Sequence, residues 1–264
     1  MKKIKKSPNS PPILEAYVEL TANADSTWEQ FKGNNPGAHP EIKATLIRDQ
    51  RGLCAYCEID LAQYGGQGLD DFRVEHFHPK KRPPHPPPNH DLNWQNLLGV
   101  CSGGNVRDIG DPGRFTKNDY SCDEPKGHKN LTGVILNPLT DIPSWPPIFA
   151  FTEDGGMKVS LLCPPHLQKQ VQASLTELRL TDNVALKPRA LRLDTLRKGV
   201  IDWLRDQLLI RQAQGKTLEE VSAELAEEMF PSDPEQPWPA FFSCIRWYLG
   251  PAAEARLQAV GYDA

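Results

Sequence analysis

The sequence predicts an α+β fold that is mainly helical, and three observations carry that prediction. The last third of the chain is dominated by long amphipathic stretches in which apolar residues recur three and four apart. A short strand candidate, Phe72 to His76, sits alone in the first half and is stopped by Pro79. Cysteines at 54, 57, 101 and 122 bracket that strand, and four thiolates can tie one Zn²⁺ into a closed tetrahedral site.

Taken in order, residues 1–12 are basic and rich in proline and serine, which predicts an extended, solvated arm. Ile13 to Phe31 is compatible with a short helix carrying Trp28 and Phe31. After the turn at Asn34-Asn35-Pro36-Gly37, Pro40 to Arg51 reads as a helix with Ile42, Leu46 and Ile47 on one face. It delivers the chain to Gly52 and the first thiol pair. Residues 64–71 form a loop, and the five prolines between Lys81 and Asn89 exclude helix or central strand, leaving an extended surface run. Asp91 to Val100 returns to order. Asn137 to Ile148 marks a boundary, followed by a hairpin turning at Asp154-Gly155-Gly156.

The rest reads as helices. His166 to Leu180 aligns Leu167, Val171, Leu175 and Leu178 and ends in a turn at Asp182-Asn183; Leu191 to Ala213 is a second helix. Thr217 to Glu220 is a capping box opening a third helix that ends at Met229, and Phe241 to Leu249 is the last. The chain thus divides into an arm and helix (1–50), a thiol-braced core (51–135) and a hairpin with a helical region (136–264).

Composition narrows the function classes. Hydrophobic content is 39%, and no apolar run approaches the roughly 20 residues needed to cross a bilayer. The opening Met-Lys-Lys-Ile-Lys-Lys-Ser-Pro has no apolar stretch behind it, so the expectation is a cytosolic protein without a membrane partner. In a reducing cytosol clustered thiols bind metal more often than they pair, while the isolated Cys163 and Cys244 read as small buried hydrophobes. The net charge of −4 arises entirely beyond residue 130: residues 1–60 carry 8 basic and 8 acidic side chains, and residues 61–130 carry 9 and 9. Strong nonspecific electrostatic capture of DNA is not predicted.

Two sets of residues carry chemistry. A thiol pair alone also suits redox proteins, but a redox pair gains nothing from the third and fourth thiols at Cys101 and Cys122, whereas tetrahedral zinc needs them; His128 is the leading substitute for Cys122. Between the halves of the clamp lie Glu75-His76 and two asparagines, Asn96 and Asn105. A neutral imidazole suits a base that deprotonates water, and carboxylate and amide oxygens suit Mg²⁺ or Mn²⁺. His78, on the same side of an extended strand as His76, is placed to touch substrate or metal; His85 and His90 read as solvated.

Cys54-Ala-Tyr-Cys57-Glu58, Val74-Glu75-His76-Phe-His-Pro-Lys80, Asn96-Leu-Leu-Gly-Val-Cys101 and the later Cys122-Asp123 together resemble HNH endonucleases. More narrowly they are similar to the PtuB-like HNH proteins of retron and Septu-type anti-phage systems. The Asn137-Pro-Leu step, the hairpin, Leu178-Arg-Leu with Leu186 and Arg189, and the 241–249 helix extend the likeness over most of the chain from about residue 40. The resemblance implies a ββα-metal core braced by a zinc site of four cysteines. It makes His76 the general base, Glu75 a contributor to the Mg²⁺ or Mn²⁺ site, Asn96 the holder of the loop and of His76, and Asn105 a metal ligand on the helix. One departure is glycine at 104, where a second thiol pair would place cysteine; Cys122 stands in for it, and Arg107 for the basic residue often found after the final His or Asn.

The resemblance further implies an effector nuclease acting on DNA or RNA with an ATPase partner of PtuA type and, in retrons, a reverse transcriptase with its RNA–DNA product. It leaves the choice among DNA, RNA and tRNA open. Two other readings stand beside it: a noncatalytic zinc module that recruits nucleic acid or protein, and a restriction or homing-type HNH nuclease acting alone.

Overall fold

Three short helices open the chain, each started by a local signal. Pro12 occupies the first position of α1 (Pro12–Glu19), where its missing N–H is no loss. Thr27 and Gln30 form a reciprocal capping box on α2 (Trp28–Asn34). In α3 (Ala38–Asp49) Pro40 falls in the first turn, whose N–H groups have no intrahelical partner. Leu14, Trp28, Phe31, Ile42 and Leu46 point inward from these helices into the main core. The computed structural model describes residues 1–20, 25–61, 72–80, 88–103, 120–181 and 192–263. Ile13 to Phe31 therefore holds one helix and the start of a second, not a single helix.

The expected solvated arm is a correction. Met1 and Ile4 are buried at 2% and 3% exposure, and Ile4 N donates to Pro138 O at 2.9 Å. Lys6 donates to the carbonyls of Trp94 and Leu97 with its ammonium 3.6 Å from the Trp94 ring centroid. Of the lysines that suggested solvent exposure, Lys2 is buried and Lys3 and Lys6 are half-buried, while Lys5 is exposed.

The two strands nearest the thiols are β1 (Phe72–His76) and β2 (Leu97–Cys101), paired antiparallel from Phe72 opposite Cys101 to His76 opposite Leu97. All five residues of β2 are buried. Gly99 is required there because a Cβ would stand 2.8 Å from the Phe72 ring. On the outer edge of β2, Gln50 closes the sheet like a third strand, exchanging hydrogen bonds with Gly99 O (2.8 Å) and Gly99 N (2.7 Å). A four-residue helix, α4 (Asp123–Lys126), follows Cys122.

Beyond the boundary region, β3 (Phe149–Phe151) and β4 (Met157–Val159) form the expected hairpin. Its turn needs Gly155 at φ 85°, where a Cβ would meet Asp194 O at 2.0 Å. Helices α5 (Pro165–Glu177), α6 (Arg192–Ala213), α7 (Leu218–Met229) and α8 (Phe242–Leu249) follow the expected pattern closely. A further helix, α9 (Pro251–Ala259), extends past the expected end: Gly250-Pro251 looks like a breaker, but the proline starts a new helix.

Leu204, Val221, Leu225, Phe230, Trp238, Phe242, Leu249 and Leu257 form a second apolar cluster, and Leu53 from the first half joins it. Three contacts beside Leu53 bind the halves together. The Arg51 guanidinium lies 3.5 Å from the Trp238 ring centroid, Phe241 N donates to Glu58 O at 2.8 Å, and Ser243 donates from N (2.8 Å) and Oγ (2.6 Å) to the Glu58 carboxylate. No helix among the described residues is long and apolar enough to cross a membrane.

Candidate metal centre and the Glu75-His76 site

The four thiols expected to act together do lie together. Cys54, Cys57, Cys101 and Cys122 are all buried, with their sulfurs within 4.8 Å of one another and none in a disulfide. Sulfurs at the corners of a tetrahedron with Zn–S of about 2.3 Å stand about 3.8 Å apart. The observed separations are 3.6 Å for Cys57–Cys101, 3.6 Å for Cys101–Cys122 and 3.9 Å for Cys54–Cys122. His128 is exposed outside the cluster, so Cys122 supplies the fourth sulfur.

Local backbone geometry explains the gathering. Cys54 and Cys57 sit on a tight turn closed by Cys54 N to Ile59 O (2.9 Å) and Glu58 N to Cys54 O (3.1 Å), and Ala55 N hangs that turn on Gly99 O of β2 at 3.0 Å. Cys101 ends β2. Cys122 is held at φ 61°, ψ −120°, a conformation costing a non-glycine residue about 1–3 kcal/mol, with its N–H donated to Leu178 O at 2.9 Å.

The electrostatics fit a divalent ion. Burial opposes charge on Cys54, yet the neighbouring thiols donate to it and hold it well below the ordinary thiol range. Cys101 is pushed up by those same sulfur contacts, and Cys122 by burial. Without a cation one thiolate is stabilised at the expense of its neighbours; a bound ion lets all four ionise.

Across the β1–β2 pair, Glu75 lies opposite Leu98 and His76 opposite Leu97. The His76 ring is buried edge-on against Trp28, with centroids 5.3 Å apart. Nε2 lies 3.0 Å from Asp91 O, which can only accept, so Nε2 carries the proton and Nδ1 keeps its lone pair. Burial pushes His76 down to about 4, against the pull of the Asp91 carbonyl, and the imidazole is neutral at pH 7. Asp91 is itself fixed, with Oδ2 accepting from Trp28 N at 3.2 Å.

Asn96 spans the mouth of the loop between residues 78 and 90. Its amide donates to His78 O (3.0 Å) and His90 O (2.7 Å), and its oxygen accepts from His78 N (2.7 Å). His78 lies beyond the end of β1, with Nδ1 2.7 Å from Thr132 Oγ1 and its ring stacked on His90 at 4.4 Å. His90 is therefore half-buried in a stacked pair, a correction to its expected solvation. Asn105, Arg107, Gly104 and His85 lie outside the described residues. So do the expected loop at 64–71, the Asp182-Asn183 turn, Leu186, Arg189 and most of the five-proline run.

Glu75 is held from the opposite side. Lys126 Nζ stands 2.6 Å from Glu75 Oε1 and donates to His76 O at 3.1 Å. That ion pair leaves Glu75 Oε1 neutralised by the ammonium, whereas Asp123 Oδ1 and the hydroxyls of Tyr56 and Ser121 are buried without hydrogen-bond partners. Burial raises Glu75, and burial together with the Glu75 charge raises Asp123 to about 7. The same two carboxylates are the leading charges felt by Tyr56. Arg73, paired with Glu124 and 3.9 Å from Asp123, offsets part of the negative charge. A buried carboxylate oxygen without a donor, as at Asp123 Oδ1, is what a hard divalent cation satisfies.

Trp28, Asp91, Asp123 and Lys126 were not singled out by the sequence as site residues. The adjacency of Asp123 to a metal-binding cysteine was the one available signal; the others reach the site through long-range packing.

No protein-family model matches the chain. The chain is similar to a retron Ec83 "putative HNH endonuclease" of Escherichia coli, at 34% identity over 166 residues, which cover 59% of this chain and 60% of that protein. The chain therefore spans less than two thirds of that relative's length. The likeness supports an HNH endonuclease family.

Proposed function

We propose that the protein is a metal-dependent HNH endonuclease that hydrolyses nucleic-acid phosphodiester bonds, with a ββα-metal core braced by zinc at Cys54, Cys57, Cys101 and Cys122. The observation that carries this reading is the placement of a neutral, tautomerically fixed His76 beside a buried Glu75 carboxylate on one strand end. Glu75, and Asn105 by the resemblance, would hold Mg²⁺ or Mn²⁺, which when bound supplies positive charge to the phosphodiester.

The remaining work falls to the chain's own groups. His76 Nδ1 accepts a proton from water as the water oxygen forms its bond to phosphorus and the P–O3′ bond breaks, the leaving oxygen taking a proton from solvent. The Asp91 carbonyl stabilises the imidazolium through Nε2–H, and Trp28 shields the ring from water. Asn96 fixes the loop that carries Asp91.

The relative's name supports a retron context; within it we propose an effector of an anti-phage system, working with an ATPase of PtuA type and with a reverse transcriptase and its RNA–DNA product, in the cytoplasm. Residues 136–264 are the proposed partner surface. Of the ten exposed large apolar side chains among the described residues, seven lie there: Trp145, Leu161, Leu162, Trp203, Leu209, Ile210 and Leu218. Such residues are what a partner interface would cover.

The test is nicking of plasmid and cleavage of RNA with Mg²⁺ or Mn²⁺, in the presence of the ATPase partner. His76→Ala is expected to lower the rate by about 10²–10⁴-fold, the usual contribution of a general base. Activity equal to wild type refutes the assignment. A noncatalytic zinc module would show no metal-dependent cleavage at all, and a stand-alone nuclease would cleave specific duplex DNA without the ATPase.

A further inference from the structure

Lys126 has an environment unlike that of any ordinary surface lysine. Its side chain is 1% exposed, its ammonium is 2.6 Å from Glu75 Oε1, and its other contact is the main-chain carbonyl of His76. The lysine has little freedom to leave. It ends a four-residue helix whose N-cap is Cys122, so the zinc ligand and the ammonium are fixed by one turn of backbone. Gly103 O, two residues after Cys101, accepts from Ser121 N at 3.0 Å and anchors that turn from the other side.

A buried ammonium survives only beside a compensating charge, and here that charge is the carboxylate through which a divalent ion would be held. Two cations that need the same oxygen exclude each other, or share it at a cost in Coulomb repulsion. We propose that Lys126 is a competitor of the divalent cation for Glu75, so that the chain carries its own antagonist of metal loading. The proposal rests on the reading of Glu75 as a metal ligand. Loading requires the ammonium to give up Glu75 Oε1 while it keeps the His76 carbonyl or turns toward Asp123, whose Oδ1 has no partner. A partner or substrate that draws α4 away from β1 would then raise metal affinity without touching a ligand. That gives a nuclease harmful to its host a built-in threshold.

The experiment is a Mn²⁺ titration of the full-length chain followed by electron paramagnetic resonance, with zinc content and near-ultraviolet circular dichroism as checks on folding. Lys126→Met and Lys126→Gln keep most of the stem and remove the charge. They are expected to bind Mn²⁺ about tenfold tighter or more, the effect of removing one close like charge, and Lys126→Arg no tighter than wild type. Equal or weaker binding by the Met and Gln variants overturns the proposal and makes Lys126 a positioning residue that helps the metal. Glu75→Gln separates the two levels: if it binds Mn²⁺ as well as wild type, the metal reading of Glu75 falls; if it loses the ion while Lys126→Met is unchanged, the competitor alone falls. Should both neutral variants lose zinc and unfold, amine labelling of Lys126 in the wild-type chain decides. Labelling that rises on adding Mn²⁺ supports displacement, and labelling that stays constant overturns it.

Discussion

The halves of this molecule solve the problem of burial in opposite ways. Around the thiols the secondary structure is slight, two five-residue strands and a four-residue helix, and charged side chains lie deep, Glu58, Lys126 and Asp91, beside the neutral His76. Beyond residue 190 the structure is long helix over an apolar cluster that includes Phe230, Trp238 and Phe242, whose rings stand 5.1–6.1 Å apart. The first half tolerates buried charge because the sulfur cluster fixes its loops; the second stays ordered by hydrophobic burial and capping, with its buried charges closed into pairs such as Arg197–Asp194. The region that can do chemistry is the one that propensity alone would not hold together.

The largest effect that would break this contrast is loss of the zinc proposed for the sulfur cluster. Cys101→Ser, or exhaustive chelation, is expected to abolish zinc binding and unfold the first half. Structural zinc contributes apparent free energies of about 10–16 kcal/mol, as large as the whole stability of a typical domain. Loss of near-ultraviolet signal together with stoichiometric zinc release checks it. A zinc-free protein with a native melting curve would show that burial alone suffices.

A smaller effect should stay in the second half. Arg197 is 2% exposed and donates to Asp194 Oδ1 (2.7 Å), Leu180 O (2.6 Å) and Gly155 O (3.2 Å), tying α6 to the β3–β4 turn. Arg197→Met leaves Asp194 buried without its cation and should cost about 3–5 kcal/mol in a denaturant melt. Zinc content should remain one per chain; loss of zinc would mean that the halves do not differ as described. The smallest effect is at a surface cap. Thr217→Ala removes the side-chain acceptor of a capping box and should cost about 1 kcal/mol in the same melt.

What the sequence made legible follows the range of the interaction. The Thr217–Glu220 box, the Gly155 turn and the strand ending at His76 are set by residues within a few positions of each other, and each appears in the structure where the local pattern put it. The four thiols are far apart in the chain, yet they were readable as a group because tetrahedral zinc demands that number and kind of ligand. Gln50 on the edge of β2, Trp28 against His76 and Lys126 beside Glu75 were not readable. Each is an ordinary residue type whose role arises only when segments far apart in sequence pack together. The same holds for Met1 and Ile4, whose burial depends on a surface assembled from the rest of the chain.

The hydrogen bonds from Phe241 and Ser243 to Glu58 bear on any attempt to trim this molecule to its chemistry. An excised fragment ending near residue 135 would keep all four clustered thiols and the Glu75-His76 step. It would nonetheless strip Leu53 of its apolar cover and take two donors from a carboxylate one position after Cys57. The knuckle that grips the metal is thus seated partly on the far end of the chain. Transplanting it into another scaffold calls for grafting a replacement for that seat as well.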